Sequence, residues 1–206
     1  MRANVMLIAF LGLAMLPCAG QSSGASSKAG SSTLDKFDFG LTFTEKYAKI
    51  TNTTGTYFNL PGGSFDAAYS LDNKVKRLSI AVDVQGEAAT HDITLGVGLT
   101  QFSYVAGPRY TFWKQKSTGP KANMYIEALA GGMHAWDSLF ITPTKTTTSA
   151  NSFALQTGGG LNLPLAKKWG WRVVEVDYIM TKLPNYYDNY QGDIRVSTGL
   201  NFHFHR

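Results

Sequence analysis

The sequence predicts an all-β protein, a closed antiparallel up-and-down transmembrane β-barrel of about eight strands. Three observations predict it. The last stretch, Asp193 to Phe204, sets Ile194, Val196, Thr198, Leu200, Phe202 and Phe204 against Arg195, Ser197, Gly199, Asn201 and His203. Successive strand side chains point to opposite faces, so this segment has one apolar face and one polar face. At about twelve residues it is long enough to cross a bilayer at a tilt. The same alternation recurs along the chain to give an even strand count, as a closed antiparallel barrel requires. The connections are read as long after strands one, three, five and seven and short after two, four and six, the asymmetry of a spanning barrel.

Composition agrees. With 206 residues the chain has room for one domain and a leader. The 21 glycines and the 13% aromatic share suit many strands and turns. A mean hydropathy of −0.12 argues against apolar helices, whereas strands hide their greasy face by alternation. The net charge of +5 is spread over Lys74, Lys76, Lys116, Lys121, Lys167 and Lys168 in predicted turns. A nucleic-acid binder would concentrate such charge along one face, so that class is set aside.

Residues 1–20 have the form of a secretory signal peptide: Arg2, the apolar run Val5 to Leu16, and small residues at Ala19-Gly20. Cys18 leaves lipidation as an alternative. Cleavage would remove the one cysteine and with it any disulfide or thiol chemistry. Residues 21–35 read as a flexible Ser/Gly-rich periplasmic tail, and 36–206 as the barrel.

The strands follow in order. The first alternates Phe37, Phe39, Leu41 and Phe43 with polar or small residues, and Thr51 to Gly63 reads as loop ending at Pro61-Gly62-Gly63. The second, about Ser64 to Leu71, opposes Phe65, Ala67 and Tyr69 to Asp66, Ala68 and Ser70. The third, about Val75 to Gln85, opposes Leu78, Ile80, Val82 and Val84 to Ser79, Ala81, Asp83 and Gln85. Gly86 to Thr100 is mixed and could extend either neighbour. The fourth, about Phe102 to Trp113, carries Pro108, which lacks a ladder donor and suggests a bulge. The fifth, about Ala122 to Ala135, leaves its parity open, because Gly131-Gly132 could mark a parity-flipping bulge. Trp136 to Ala150 reads as loop. The sixth, about Ser152 to Leu163, opposes Phe153, Leu155 and Thr157 to Ala154, Gln156 and Gly158. The seventh, about Trp171 to Thr181, opposes Val174, Val176, Tyr178 and Met180 to Glu175, Asp177 and Ile179. A Tyr/Asn/Asp-rich loop then leads to the closing strand.

At this strand number side chains about fill the interior, so a passive pore is not expected. The inward faces carry Asp66, Asp83, Arg109, Glu127, Glu175, Asp177 and Arg195. Burying single charges is costly, so these seven should pair across the lumen as a structural network, with Asp177 near Arg195. His91-Asp92 and His134 with Asp137 and Ser138 fall at strand ends on the long-loop side. A Ser-His-Asp relay needs these groups within hydrogen-bond reach, and nothing motif-like supports one here. His203 and His205 share a face but lack a third ligand, so no metal site is assigned. Gly158-Gly159-Gly160 lacks the helix and Lys-Ser/Thr pair of a phosphate loop. Tyr186, Tyr187 and Tyr190 read as an interfacial aromatic belt. No catalytic residue and no cofactor is expected.

Five runs carry a resemblance: Gly107-Pro108-Arg109-Tyr110, Glu127 to Gly132, Gly158-Gly159-Gly160-Leu161, Arg172 to Tyr178, and Arg195 to Leu200 ending in Phe202-His203-Phe204. In order and spacing they resemble the outer-membrane β-barrel domain family, the small OmpA/OmpX-like barrels. The resemblance implies an outer-membrane protein exported by a cleavable signal and inserted by the barrel-assembly machinery. It implies Leu200, Phe202 and Phe204 as the C-terminal assembly signal, although here His205 and Arg206 follow the terminal aromatic. The family transfers no catalytic residues. The expected protein is a non-enzymatic monomer held by outer-membrane lipids, with loops open to an extracellular surface ligand and a role in membrane integrity or adhesion. The competing readings are a lipid-modifying barrel enzyme at the His134 rim and a secreted lipocalin-like binder with its apolar faces turned inward.

Overall fold

The computed structural model describes residues 37–49, 57–71, 77–94, 97–114, 122–166, 168–185 and 189–204. The signal-peptide and tail expectations, at 1–20 and 21–35, lie outside them. Eight strands follow one another: β1 (Phe37–Lys49), β2 (Tyr57–Ser70), β3 (Leu78–Thr94), β4 (Val97–Lys114), β5 (Asn123–Ile141), β6 (Thr146–Pro164), β7 (Trp169–Thr181) and β8 (Gln191–Phe204). Each pairs antiparallel with its neighbours, and β1 pairs with β8 from Phe37↔Phe204 to Tyr47↔Ile194, closing the barrel. The ends holding Phe37 and Phe204 form one rim, here the terminal rim; the opposite rim is distal.

Alternation sorts the side chains by face. In β1, Thr42, Thr44 and Lys46 are buried while Leu41, Phe43 and Tyr47 are exposed. In β8, Arg195 and Ser197 are buried while Ile194, Val196 and Leu200 are exposed. Period two thus places polar residues inside and apolar residues outside, the reverse of a water-soluble sheet with one covered face.

The structure corrects the reading at the distal rim. β2 begins at Tyr57, so Pro61-Gly62-Gly63 lies within a strand opposite Glu45, Thr44 and Phe43. Pro61 sits just outside the β2–β3 ladder, which starts at Gly62↔Glu87, a sheet margin where a residue without an N–H is tolerated. The mixed stretch Gly86 to Thr100 extends both neighbours, with Thr94 opposite Val97. Trp136 to Ala150 is not a loop: β5 runs on to Ile141 and β6 starts at Thr146. A register shift lies between Trp136 and Phe140, where Asp137 adopts a φ of 59°. The stretch read as a loop after Trp136 and the mixed stretch from Gly86 are therefore two hairpins, β5 with β6 and β3 with β4, each running on past the wall with an irregularity in its ladder; extended structure suits the threonines of the first.

Two local expectations resolve. Pro108 faces outward, and the register on both sides of it is unbroken. The nearby irregularity falls instead between Thr111 and Trp113. Gly131-Gly132 causes no flip: Tyr125, Glu127, Leu129, Met133 and Ala135 all point inward in one register. A bulge that sequence did not suggest lies between Arg172 and Glu175, and it turns both charges inward although three positions separate them.

Towards the distal rim the lumen holds an apolar cluster beside a few buried polar side chains. Ala48, Leu60, Leu99, Met133, Ala135 and Phe140 belong to one buried cluster, joined from the β7–β8 connection by Leu183. That connection is tied down. The Gln191 side chain accepts from Leu183 N at 2.8 Å and donates to Leu183 O at 2.9 Å. Asn185 and Asn189 exchange backbone-to-side-chain bonds of 3.0 and 2.9 Å. Asn185 also bridges to Ile141 of β5.

Close backbone approach explains one glycine in the wall. A Cβ on Gly131 would collide with Tyr104 O and lie 2.9 Å from Val105 Cα, both backbone atoms that cannot step aside. We expect Gly131→Ala to lower the unfolding free energy by about 1–3 kcal/mol, as overpacking does. Denaturant titration of the folded barrel beside Ala130→Gly measures it; an unchanged midpoint for Gly131→Ala would contradict the close approach.

Candidate functional site

The candidate site is the charged lumen. All seven residues singled out from sequence are buried there: Asp66, Asp83, Arg109, Glu127, Glu175, Asp177 and Arg195. β2 supplies Asp66, β3 Asp83, β4 Arg109, β5 Glu127, β7 Glu175 and Asp177, and β8 Arg195. Period two aims each inward, and only closure brings them together.

Arg195 is the centre of one half. Its Nη2 lies 2.9 Å from Asp83 Oδ2, 3.2 Å from Glu175 Oε1 and 2.7 Å from Asp177 Oδ2. Its Nε donates to the same Asp177 oxygen at 3.1 Å, and Nη1 donates to Gln85 Oε1. Asp177 is also the register partner of Arg195 across β7 and β8. The other half centres on Asp66. Arg109 Nη1 reaches Asp66 Oδ2 at 2.9 Å, and Arg172 Nη1 reaches Oδ1 at 2.5 Å. Arg109 Nε also donates to Glu127 Oε2 at 2.7 Å. Arg172 links the halves, since its Nη1 also lies 2.8 Å from Glu175 Oε2.

Several members were not legible in advance. Arg172 is fully inside, but the bulge after it hides its parity from a period-two reading. Tyr125 donates its hydroxyl to Glu175 and carries the Arg109 guanidinium 4.4 Å above its ring centroid. Gln156 donates to Asp83 Oδ2 at 3.1 Å and Glu127 Oε1 at 3.3 Å. Nearer the distal rim, Lys46 pairs with Glu87 and donates to Gln101 Oε1 at 2.7 Å. Lys46 continues the inward row of Thr42 and Thr44, a signal the sequence did contain.

Glycine makes room for this chemistry. A Cβ on Gly40 would strike Asp66 Oδ1 and lie 2.9 Å from Arg172 Nη2. At Gly40 a missing side chain is what lets a guanidinium and a carboxylate lie against the wall.

Glu127, Glu175 and Asp177 each place a carboxylate oxygen within 4.8 Å of the others. Arginine and glutamine donors bind these same groups, so the protein's own cations stand where a metal's charge would act. The other candidates disperse. His91 and Asp92 lie on β3, with their side chains outside the described residues. His134 Nδ1 is 2.7 Å from Asn151 Oδ1 and its ring stacks on Trp136, while Asp137 Oδ2 accepts from Thr100. Among the described residues no hydrogen bond joins His134, Asp137 and Ser138. His203 pairs with Asp38 and lies 3.0 Å from Asn201 Nδ2, while His205 lies outside the described residues. Tyr190 is exposed, and its hydroxyl lies 3.4 Å from that of Tyr178; Tyr186 and Tyr187 are outside the described residues.

The closing strand's Leu200 and Phe204 face outward and are exposed. Phe202 packs on Trp169 at 4.2 Å and Phe204 meets Phe39 edge-on at 5.7 Å. With Phe37 against Tyr69 at 4.9 Å they form an aromatic patch at the terminal rim, across β7, β8, β1 and β2.

No family model matches the sequence, and no curated protein does either. Solved structures do. The attachment invasion locus protein Ail of Yersinia pestis is 13% identical and superposes with a TM-score of 0.50, covering 82% of this chain and 99% of its own. Neisserial surface protein A, NspA, is 14% identical with a TM-score of 0.55, covering 82% of this chain and 97% of its own. At such identity the likeness concerns fold: the chain shares the architecture of small eight-stranded outer-membrane barrels.

Removing one partner of a buried ion network strands the others without compensation. We expect Arg195→Ala to cost about 3–5 kcal/mol, read as the shift in denaturation midpoint. Asp177→Asn, which keeps shape and one acceptor, should cost less. An Arg195→Ala barrel as stable as the parent would show that the carboxylates do not depend on it.

Proposed function

We propose that this barrel is an integral outer-membrane protein, non-enzymatic and non-conducting, that stiffens the membrane and presents its distal hairpins to the outside. The observation that carries this reading is the sorting of faces. Leu41 is 60% exposed, Phe43 59% and Ile126 54%, whereas Arg195 and Asp177 are 0% exposed. In water such an exterior would lose the apolar transfer free energy, about 25 cal/mol per Å² left uncovered. In hydrocarbon it is the favoured surface, and closure of β1 on β8 removes the free edges that would be left unpaired there. A lipocalin-like binder needs the opposite assignment of faces.

The lumen supports a plug and not a channel. Guanidinium-carboxylate pairs join strands across it, and the apolar cluster fills it towards the distal rim. On this reading residues 1–20 export the chain, Leu200, Phe202 and Phe204 are read by the barrel-assembly machinery, and the protein works as a monomer. Ail is named for attachment and invasion and NspA as a surface protein; by analogy of fold, adhesion or another surface contact through the β3–β4 and β5–β6 hairpins is the corresponding role here.

Two measurements test the reading. The protein should fractionate with the outer membrane and migrate differently on a gel before and after boiling; recovery in the soluble periplasm without detergent would refute it. Leu41→Arg, on the outer face of β1, should destabilise the vesicle-embedded barrel by about 2–4 kcal/mol if it lies near the bilayer midplane. A neutral result at Leu41 would place that face in water.

A further inference from the structure

The outer face of the β5–β6 hairpin changes character in three tiers as it leaves the wall. Lowest are Tyr104, Gly132 and Phe153, side by side on β4, β5 and β6, with both aromatics exposed. Above them come Phe102, His134 and Asn151, and above those Thr100, Trp136 and Ser149. Thr100↔Trp136 is the last β4–β5 pair towards the distal rim, and the β6–β7 ladder has already ended at Ala154↔Thr181. The upper tiers therefore stand where the exposed apolar belt gives way to polar side chains, the headgroup level of a spanning barrel.

The side chains of these tiers are held in place. His134 Nδ1 lies 2.7 Å from Asn151 Oδ1, an oxygen that only accepts, so the ring carries its proton on Nδ1 and offers Nε2 as an acceptor. The imidazole stacks on Trp136 with centroids 5.3 Å apart and planes 28° from parallel, and both rings remain half-exposed. Next along β5, Asp137 lies in the register shift with a positive φ, and its Oδ2 accepts from Thr100 on β4 at 3.0 Å. Among the described residues, Trp136 Nε1, His134 Nε2, Asn151 Nδ2 and Asp137 Oδ1 have no hydrogen-bond partner. The cluster thus offers ring surface bordered by two donors and two acceptors on the outward face. Its one permanent charge is the Asp137 carboxylate.

Such a surface suits a sugar ring. A hexose has a flat face of C–H hydrogens, which the negative face of an aromatic ring attracts, and a rim of hydroxyls that donate and accept together. A phosphate or sulfate finds no cation in these tiers and meets Asp137 instead. We propose that the Trp136–His134 cluster binds an uncharged sugar of a glycolipid in the leaflet at the distal rim, with Trp136 as the platform and Asp137 and Asn151 taking adjacent hydroxyls. The height selects the source. A lipid-borne sugar lies at these upper tiers while its acyl chains meet Tyr104 and Phe153 below. The proposal rests on the membrane-spanning reading.

The test places the full chain in phosphatidylcholine vesicles and follows the emission of Trp136, isolated as the difference between the parent and Trp136→Phe. Trp113, Trp169 and Trp171 lie at the terminal rim and cancel. Monogalactosyl, digalactosyl or monoglucosyl diacylglycerol should change that emission saturably, at least one of the three doing so, while phosphatidylglycerol at the same fraction should not. Asp137→Gly, which tolerates the positive φ, and Asn151→Ala should each raise the half-saturating fraction about threefold or more, the loss of one hydrogen bond. Both should keep the shift on boiling that reports a folded barrel. No response to any of the three sugar lipids in the parent protein overturns the proposal, whether or not the variants fold. So does an equal response to phosphatidylglycerol, or a sugar response that neither folded variant weakens. If soluble lactose gives the same response in vesicles without glycolipid, the partner is a free glycan and the glycolipid proposal is again overturned. Brominated phosphatidylcholine controls for embedding: if it quenches none of the tryptophans, the spanning reading itself fails, and this proposal with it.

Discussion

The pairing of β1 with β8 is the contact on which the rest depends. Until Phe37 lies opposite Phe204 and Tyr47 opposite Ile194, the inward rows of the eight strands face no common space. Arg195 and Asp83 are separated by 112 positions, and Arg172 and Asp66 by 106, so no local structure could bring them together. Closure removes both free edges of the sheet and supplies the cross-lumen partners in one step. The order of cause runs from alternation to closure to ion pairing.

The lumen is filled in two ways, and the division is physical. Around its middle, guanidinium groups are shared among carboxylates, tyrosine and glutamine, so that charges taken out of water are mutually compensated. Towards the distal rim, Leu60, Leu99 and Met133 fill space with no directional demand. Ion networks of this kind add little net stability over an apolar filling, yet a mispaired register leaves them very unfavourable. Their contribution is to penalise wrong registers. A one-residue slip of β2, β3, β4, β5, β7 or β8 would turn its carboxylate or guanidinium to the outer face and its apolar row into the charged interior.

Much of this was legible because period two is robust wherever both faces of a strand have strong character. β8 reads correctly from Ile194 to Phe204, and Asp177 opposite Arg195 follows from pairing neighbours. Legibility fails where one residue breaks the count. The bulge between Arg172 and Glu175 makes two inward charges look as if they faced opposite ways, and nothing in Val173-Val174 advertises it. Gly131-Gly132 suggests an irregularity, but Gly131 answers to close strand approach and Gly132 makes room for the Tyr104 ring, with no change of parity. The hairpin tips were missed for a different reason. Past Trp136 the alternation weakens and threonine dominates, so polarity reads as loop although the backbone stays paired. The site was read in outline from its formal charges; of its neutral members, Gln156 already falls in the polar row of the sixth strand, whereas Tyr125 has no signal of its own until its partners are placed.

Two connections at the distal rim leave unequal room for change. The turn after Ile141 closes on itself through Thr142 and Lys145, with its base at Ile141 bridged to Asn185. The connection after Thr181 is instead rooted in the lumen through Leu183 and clasped by Gln191. Foreign sequence grafted at the hairpin tip would be displayed on a finished scaffold, whereas the same graft beside Leu183 would draw a stopper from the mouth of the vessel. On the orientation proposed above, variation between strains should accumulate at the first and be purged at the second.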